Sequence, residues 1–203
     1  MFQQHAIAGH QIGDGIAGYT FIPSTVNGSF GLSNDGIVLL HYYIGRIGTG
    51  NATRSHAITH EVGHWANLEH PWGPSNNPGL AANCNQDDNV SDTPNTLGWD
   101  NCSDLNAETC GSLDNVENFM EYSYCYKMFT EGQVTRMRAA MNSSIAQRNQ
   151  LSTDQNLAET GVLAVDEICF AEFTTDRDPK ICAGQEIEFD DISFYGVDEW
   201  SWD

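Results

Sequence analysis

The chain has 203 residues, with 28 Asp+Glu against 8 Lys+Arg, a formal net charge of −20 and 40% hydrophobic residues. That is enough apolar content for a packed core, and enough length for one full domain plus part of another. A surface this acidic repels nucleic acid and anionic membranes, which excludes both as partners; it suits an extracellular protein that binds calcium or simply stays soluble in a salty medium.

The opening Met1-Phe2-Gln3-Gln4-His5 lacks the basic stretch and apolar run of a signal peptide, and no segment is apolar and long enough to insert in a membrane. Gly18 through Ile22 predicts a short strand closed by Pro23. Residues 36–45, apolar and bounded by glycines, predict a buried strand. A helix is expected over 54–68, with Ile58, Val62 and Trp65 on one stripe. Residues 71–114 show little periodicity and are rich in Gly, Asn, Asp, Pro and Cys, so a compact domain must staple them with disulfides or bound calcium. Thr130-Glu131-Gly132-Gln133 has capping-box spacing, and the helix that follows carries Val134, Met137, Met141 and Ile145 on one face before fading near Asn149. Residues 151–161 read as a polar linker, and from 162 onward short β-like runs such as Glu186-Ile187-Glu188-Phe189 take over. The last of these ends at Trp200-Ser201-Trp202-Asp203, inside an apparent strand, which reads as a fragment or a mature form of a longer protein.

Six cysteines occur with no C-x-x-C pair, which argues for disulfides in an oxidising compartment over a zinc ribbon. Cys84, Cys102, Cys110 and Cys125 fall in one region, where three pairings are open. Cys169 and Cys182 lie downstream and are expected to pair with each other.

The chemistry sits in His60-Glu61-Val62-Gly63-His64. Histidines one turn apart project from one helix face and together bind one Zn²⁺, and Glu61 stands beside the metal as a general base for zinc-bound water. His70 supplies the third ligand only if the helix ends and the chain turns. Asn67 tolerates the positive φ such a turn needs, and Pro71 blocks any continuation. Three protein ligands leave the fourth position open for catalysis. His5, His10, His41 and His56 are read as non-ligands.

The segment from His60 to His70 resembles the zinc signature of the metzincin clan, with Asn67 where most members carry Gly. Trp72-Gly73, Asp87 through Pro94, Asn118-Phe119-Met120-Glu121-Tyr122 and Met128 through Gln133 are similar to the pappalysin family, cytophagalysin-like bacterial members included. The likeness spans roughly residues 15–148. It implies an α+β metzincin-like catalytic domain over 1–150, with a small mixed sheet, an active-site helix, a Met-turn at Met120 and a C-terminal helix. Part of the N-terminal subdomain is expected to be missing. It further implies Tyr122 as a stabiliser of the oxyanion, calcium at Asp87, Asp88, Asp92 and Thr93, and disulfides Cys84–Cys110 and Cys102–Cys125. Residues 162–203 resemble the first half of a PKD-like β-sandwich module. Ser123-Tyr124-Cys125-Tyr126-Lys127 lacks the acid that gives some family members a preference for basic residues.

The implied activity is that of a secreted, monomeric zinc-dependent endopeptidase acting on protein or peptide substrates, with an extended substrate strand aligned along a sheet edge. The competing readings are a non-catalytic adhesion module with structural zinc, which has no need of Glu61, and an acidic calcium scaffold, which leaves the histidine spacing to chance. Metal content separates them.

Overall fold

A computed structural model describes residues 17–46, 48–162, 173–175, 184, 186 and 188–191. The expected Cys169 and Cys182 bridge, the strand at the C-terminal end, His5 and His10 lie outside the described residues. The chain divides into two units, Met1–Ser152 and Thr153–Asp203.

In the first unit, β1 (Gly18–Thr20) precedes a short helix α1 (Ser29–Leu32) and pairs antiparallel with β2 (Ile37–Leu39), Gly18 opposite Leu39 and Thr20 opposite Ile37. The strand expected over 36–45 is therefore shorter. Leu40 N–H makes a last rung to Ala17 O at 2.9 Å. Tyr43 N–H then turns back onto Leu40 O at 2.9 Å, closing the 3-10 turn His41–Tyr43. With only three residues of β1 to pair against, the backbone satisfies itself locally. Among the described residues the first unit's sheet is this antiparallel pair, not a mixed one. Its side chains are half-buried or exposed, since one face alone is covered.

Helix α2 (Ala57–Trp65) follows a 3-10 turn, Arg54–His56, and packs on β1 and β2. Its apolar stripe is not its buried face. Ile58 and Val62 are both 42% exposed, while His60, Glu61 and Gly63 are buried. Hydrogen bonds from the histidines and close contact at Gly63 set the inward face, and these outweigh a stripe of two aliphatic side chains. Trp65 is held by polar partners: its Nε1 donates to Asp35 at 3.0 Å, and the Arg148 guanidinium lies 3.8 Å over its ring.

Residues 71–114 contain the 3-10 turn Ala81–Asn85 and are fastened as expected, through disulfides Cys84–Cys110 and Cys102–Cys125. Buried polar groups do the rest. Asn83 Nδ2 donates to Asn77 O and Leu97 O, and Trp99 Nε1 donates to Asp114 at 2.8 Å.

Helix α3 (Glu131–Met141) starts at the expected capping box, with Gln133 N–H donating to Thr130 Oγ1 and the Gln133 side chain accepting from Thr130 N–H. It stops eight residues before Asn149, the point where the pattern fades. Ala146 and Gln147 adopt left-handed φ values of 50° and 57°, which no α-helix accommodates. The break turns Arg148 inward, where it is 2% exposed, and leaves Ile145 43% exposed.

In the second unit, α4 (Asp154–Glu159) is capped by Thr153 and occupies most of the stretch read as a linker. β3 (Phe173–Thr175) pairs antiparallel with β4 (Phe189–Asp191), and the Phe173 and Phe189 rings lie 5.3 Å apart. No helix among the described residues is long and apolar enough to cross a membrane.

Candidate metal centre and active-site cleft

The sequence places His60 and His64 on α2 and His70 beyond its end, and the fold brings all three together. His64 Nε2 lies 3.1 Å from His60 Nε2 and 3.2 Å from His70 Nε2. Each Nδ1 faces a backbone carbonyl: Phe119 O at 2.8 Å for His60, Leu68 O at 2.8 Å for His64 and Ser75 O at 3.0 Å for His70. A carbonyl only accepts, so each Nδ1 carries the proton and each Nε2 is bare. Burial, and then the neighbouring histidines, push His60 down to about 3 and His70 well below its usual value; burial lowers His64 as well. All three imidazoles are therefore neutral at neutral pH. Three lone pairs converging with no proton between them repel one another unless a cation sits among them. The donor set fits Zn²⁺ with an open position.

Each carbonyl that orients a histidine comes from a distinct local structure. At the end of α2, Asn67 takes φ 76°. Leu68 N–H bonds Gly63 O at 2.9 Å and Asn67 N–H bonds His64 O at 2.8 Å, which is a Schellman closure with Asn in the glycine position. This bend turns Leu68 O onto His64 and sends the chain toward His70. Arg136 of α3 locks it, with Nε donating to Asn67 O at 2.8 Å. Ser75 O serves both His70 and Trp72 Nε1, and the Trp72 ring stacks flat on His70 at 4.4 Å with an interplanar angle of 1°.

Phe119 O belongs to the turn Asn118-Phe119-Met120-Glu121-Tyr122. Asn118 and Gln133 hold it by reciprocal amide bonds of 2.8 and 3.2 Å, and Asn118 Oδ1 also accepts Met120 N–H at 2.9 Å. Met120 is fully buried beneath the site. A Cβ on Gly63 would meet Met120 Sδ at 2.3 Å, so glycine between the two helical histidines is what lets the turn approach. Gly63→Ala is expected to cost about 1–3 kcal/mol through overpacking and to weaken zinc binding by displacing the turn. Urea denaturation and a zinc competition assay read both, and wild-type values in the two would contradict the close contact.

Glu61, 6% exposed, lines a cleft of about 580 Å³ together with His60, His64 and Tyr122. Burial pushes its carboxyl up to about 7, and a cation beside it draws that value down again. The Tyr122 ring packs against His60 at 5.5 Å and His70 at 4.9 Å. Its hydroxyl is pushed up to about 12, mainly by burial and then by Glu61, so it stays a donor. His56 packs on Phe119 and Tyr126, outside the triad.

Glu121 had no expected role. It is fully buried, accepts Trp99 N–H through Oε2 at 2.8 Å, and leaves Oε1 without a partner. Burial pushes its carboxyl from 4.5 up to about 8. A folded-state value raised above the unfolded one favours the protonated fold, so this stability is complete below pH 4.5 and is lost as pH rises toward 8. Glu121→Gln is expected to flatten that decline by about 1.4 kcal/mol per pH unit. Thermal melts of the zinc-free pair at pH 5, 6.5 and 8 check it; parallel curves would contradict it.

The residues expected to hold calcium share one loop. Asp88, 1% exposed, accepts Val90 N–H at 3.0 Å and the Thr93 hydroxyl at 3.2 Å through Oδ1, leaving Oδ2 buried without a partner. Asp87 accepts Asn89 N–H. Asp92 spends both oxygens on the start of α3, at Thr130 Oγ1 (2.7 Å) and Gly132 N–H (2.9 Å).

Three neutral histidines on an H-E-x-x-H helix and its bend, over a buried methionine, form a group that could hold a metal ion. The chain belongs to the peptidase M43 family described as pregnancy-associated plasma protein-A, whose model matches residues 12–142. It is similar to an extracellular metalloprotease of Podospora anserina, 33% identical over 136 residues, covering 64% of this chain and 44% of the relative. An extracellular metalloprotease of Neurospora crassa is 34% identical over 140 residues, covering 64% and 45%. Among solved structures it resembles Tannerella forsythia mature mirolysin in complex with a cleaved peptide, with a TM-score of 0.55 and 30% identity over 73% of this chain and 54% of that one. The chain thus spans less than half the length of the curated relatives it matches.

Proposed function

We propose that this chain carries the catalytic centre of a secreted zinc-dependent endopeptidase. The observation that supports the reading best is the convergence of three proton-free Nε2 atoms beside a buried Glu61 in an open cleft. Relatives named as extracellular metalloproteases and a neighbour solved with a cleaved peptide support it too.

His60, His64 and His70 would hold the metal. Zn²⁺, when bound, supplies Lewis acidity toward the peptide carbonyl and lowers the pKa of coordinated water toward about 7. Glu61 takes the proton of the attacking water and delivers it to the leaving amine. The Tyr122 hydroxyl donates to the developing oxyanion. Residues of β1 line the cleft, and an extended substrate strand hydrogen-bonds along them.

Calcium is proposed at the Asp87–Asp88 loop with Asp88 Oδ2 as its anchor, while Asp92 and Thr93 brace the loop. Calcium is expected to raise the melting temperature of the chain and not that of Asp88→Asn; equal response of the two would remove the site. Residues 1–150 are the proposed catalytic domain, 151–161 its connection, and 162–203 the start of a PKD-like module, supported by the β3–β4 pair.

Digestion of a denatured protein by the purified chain tests the activity. Cleavage abolished by a zinc chelator and restored by added zinc supports the reading. A folded, zinc-loaded chain that leaves the substrate intact contradicts it.

A further inference from the structure

One wall of the cleft carries Tyr43, Thr53, Arg54 and Tyr126. Among the described residues Arg54 is the only lysine or arginine that lines the cleft, in a chain with just 8 such residues and a net charge of −20. Its guanidinium lies over the Tyr42 and Tyr43 rings, 5.2 and 5.5 Å from their centroids. No carboxylate among the described residues forms an ion pair with it. The Arg148 guanidinium, by contrast, is paired with Asp35. Stacking on two tyrosines fixes the direction of the fork without using its hydrogen-bonding edge. Thr53, Tyr43 and Tyr126, each bearing a hydroxyl, line the same cleft. Burial keeps the Tyr126 hydroxyl protonated, so it too is available as a donor. Glu61, beside His60, is the only carboxylate among the described residues that line the cleft.

A wall made of donors and one pre-oriented guanidinium matches an acceptor-only, negatively charged group. We infer that Arg54 forms a specificity subsite for a substrate carboxylate, so that the cleft selects peptides bearing Asp or Glu close to the scissile bond. The inference rests on the peptidase reading for its substrate class, but the recognition itself belongs to the cleft wall. It fits the Ser123–Lys127 segment, which brings two tyrosines and no acid to the cleft. The negative surface opposes acidic peptides at long range, so the preference shows as a ranking of side chains at one position, and it weakens with salt.

The test uses one peptide series with Glu, Gln or Lys at each position flanking the bond, read two ways. Zinc-loaded wild-type chain gives kcat/KM, and zinc-loaded Glu61→Gln gives peptide affinity by fluorescence anisotropy. At one position Glu is expected to exceed Gln by about tenfold or more, and Lys by more still. Arg54→Gln is expected to bring the Glu-to-Gln ratio within about threefold, Arg54→Glu to invert it in favour of Lys, and Arg54→Lys to keep part of it. Melting temperatures show that the variants are folded, and the wild-type ranking decides the matter even if one is not. Cleavage without discrimination at any position, or discrimination that survives Arg54→Gln, overturns the subsite and leaves the peptidase standing. Discrimination in binding without cleavage leaves the subsite standing and overturns the peptidase.

Discussion

Glu61→Gln is expected to lower kcat/KM on a protein substrate by about 10²–10⁴-fold with zinc content unchanged. Glu61 is buried on α2 next to His60 but is not part of the group that could hold the metal, whose three members are the histidines. Gln keeps the size and one acceptor oxygen, so packing and metal survive while the proton acceptor does not. Stopped assays with zinc analysis of the same preparation separate the outcomes. Loss of zinc alongside activity would make Glu61 a structural residue; retained activity would remove it from the mechanism.

Arg148→Ala is expected to destabilise the chain by about 3–5 kcal/mol. Arg148 forms a bidentate pair with Asp35, its Nη2 donating to Oδ1 at 2.8 Å, and its side chain is only 1% exposed. Its Nε reaches Trp65 O at 3.3 Å, and the Trp65 indole donates to the same Asp35. One guanidinium therefore ties the end of α2, the loop before β2 and the turn after α3. Removing it strands the Asp35 carboxylate. The double variant Arg148→Met, Asp35→Leu is expected to recover part of the loss, because no charge is then left unpaired. Urea denaturation with the disulfides intact measures both. A cost below about 1 kcal/mol for Arg148→Ala would reduce the pair to a surface bridge in effect.

The grouping of the three histidines was legible because its information is local. Two histidines one turn apart must share a helix face, and Asn67 followed by Pro71 announces the bend that lets His70 join them. The disulfides Cys84–Cys110 and Cys102–Cys125 matched what family resemblance implied. The orientation of α2 was not legible. Periodicity assumes that the apolar stripe turns inward, whereas this helix buries its reactive face and leaves Ile58 and Val62 exposed. The devices that aim the site were invisible for another reason. The Asn118–Gln133 amide pair, the Trp72–His70 stack and the Asp35–Arg148 pair join residues with no periodic relation, the last across 113 positions. Only the fold shows that a glutamine at a capping box also holds the methionine turn, or that Arg54 faces the cleft.

The most direct test of the account is a zinc titration of the metal-free chain, followed by proteolytic activity and by bound metal together. Activity that rises linearly to one equivalent of zinc and then stays flat, with His70→Ala failing to reach it, is the predicted result. One equivalent of tightly bound zinc with no cleavage, or cleavage that persists without metal, would contradict it.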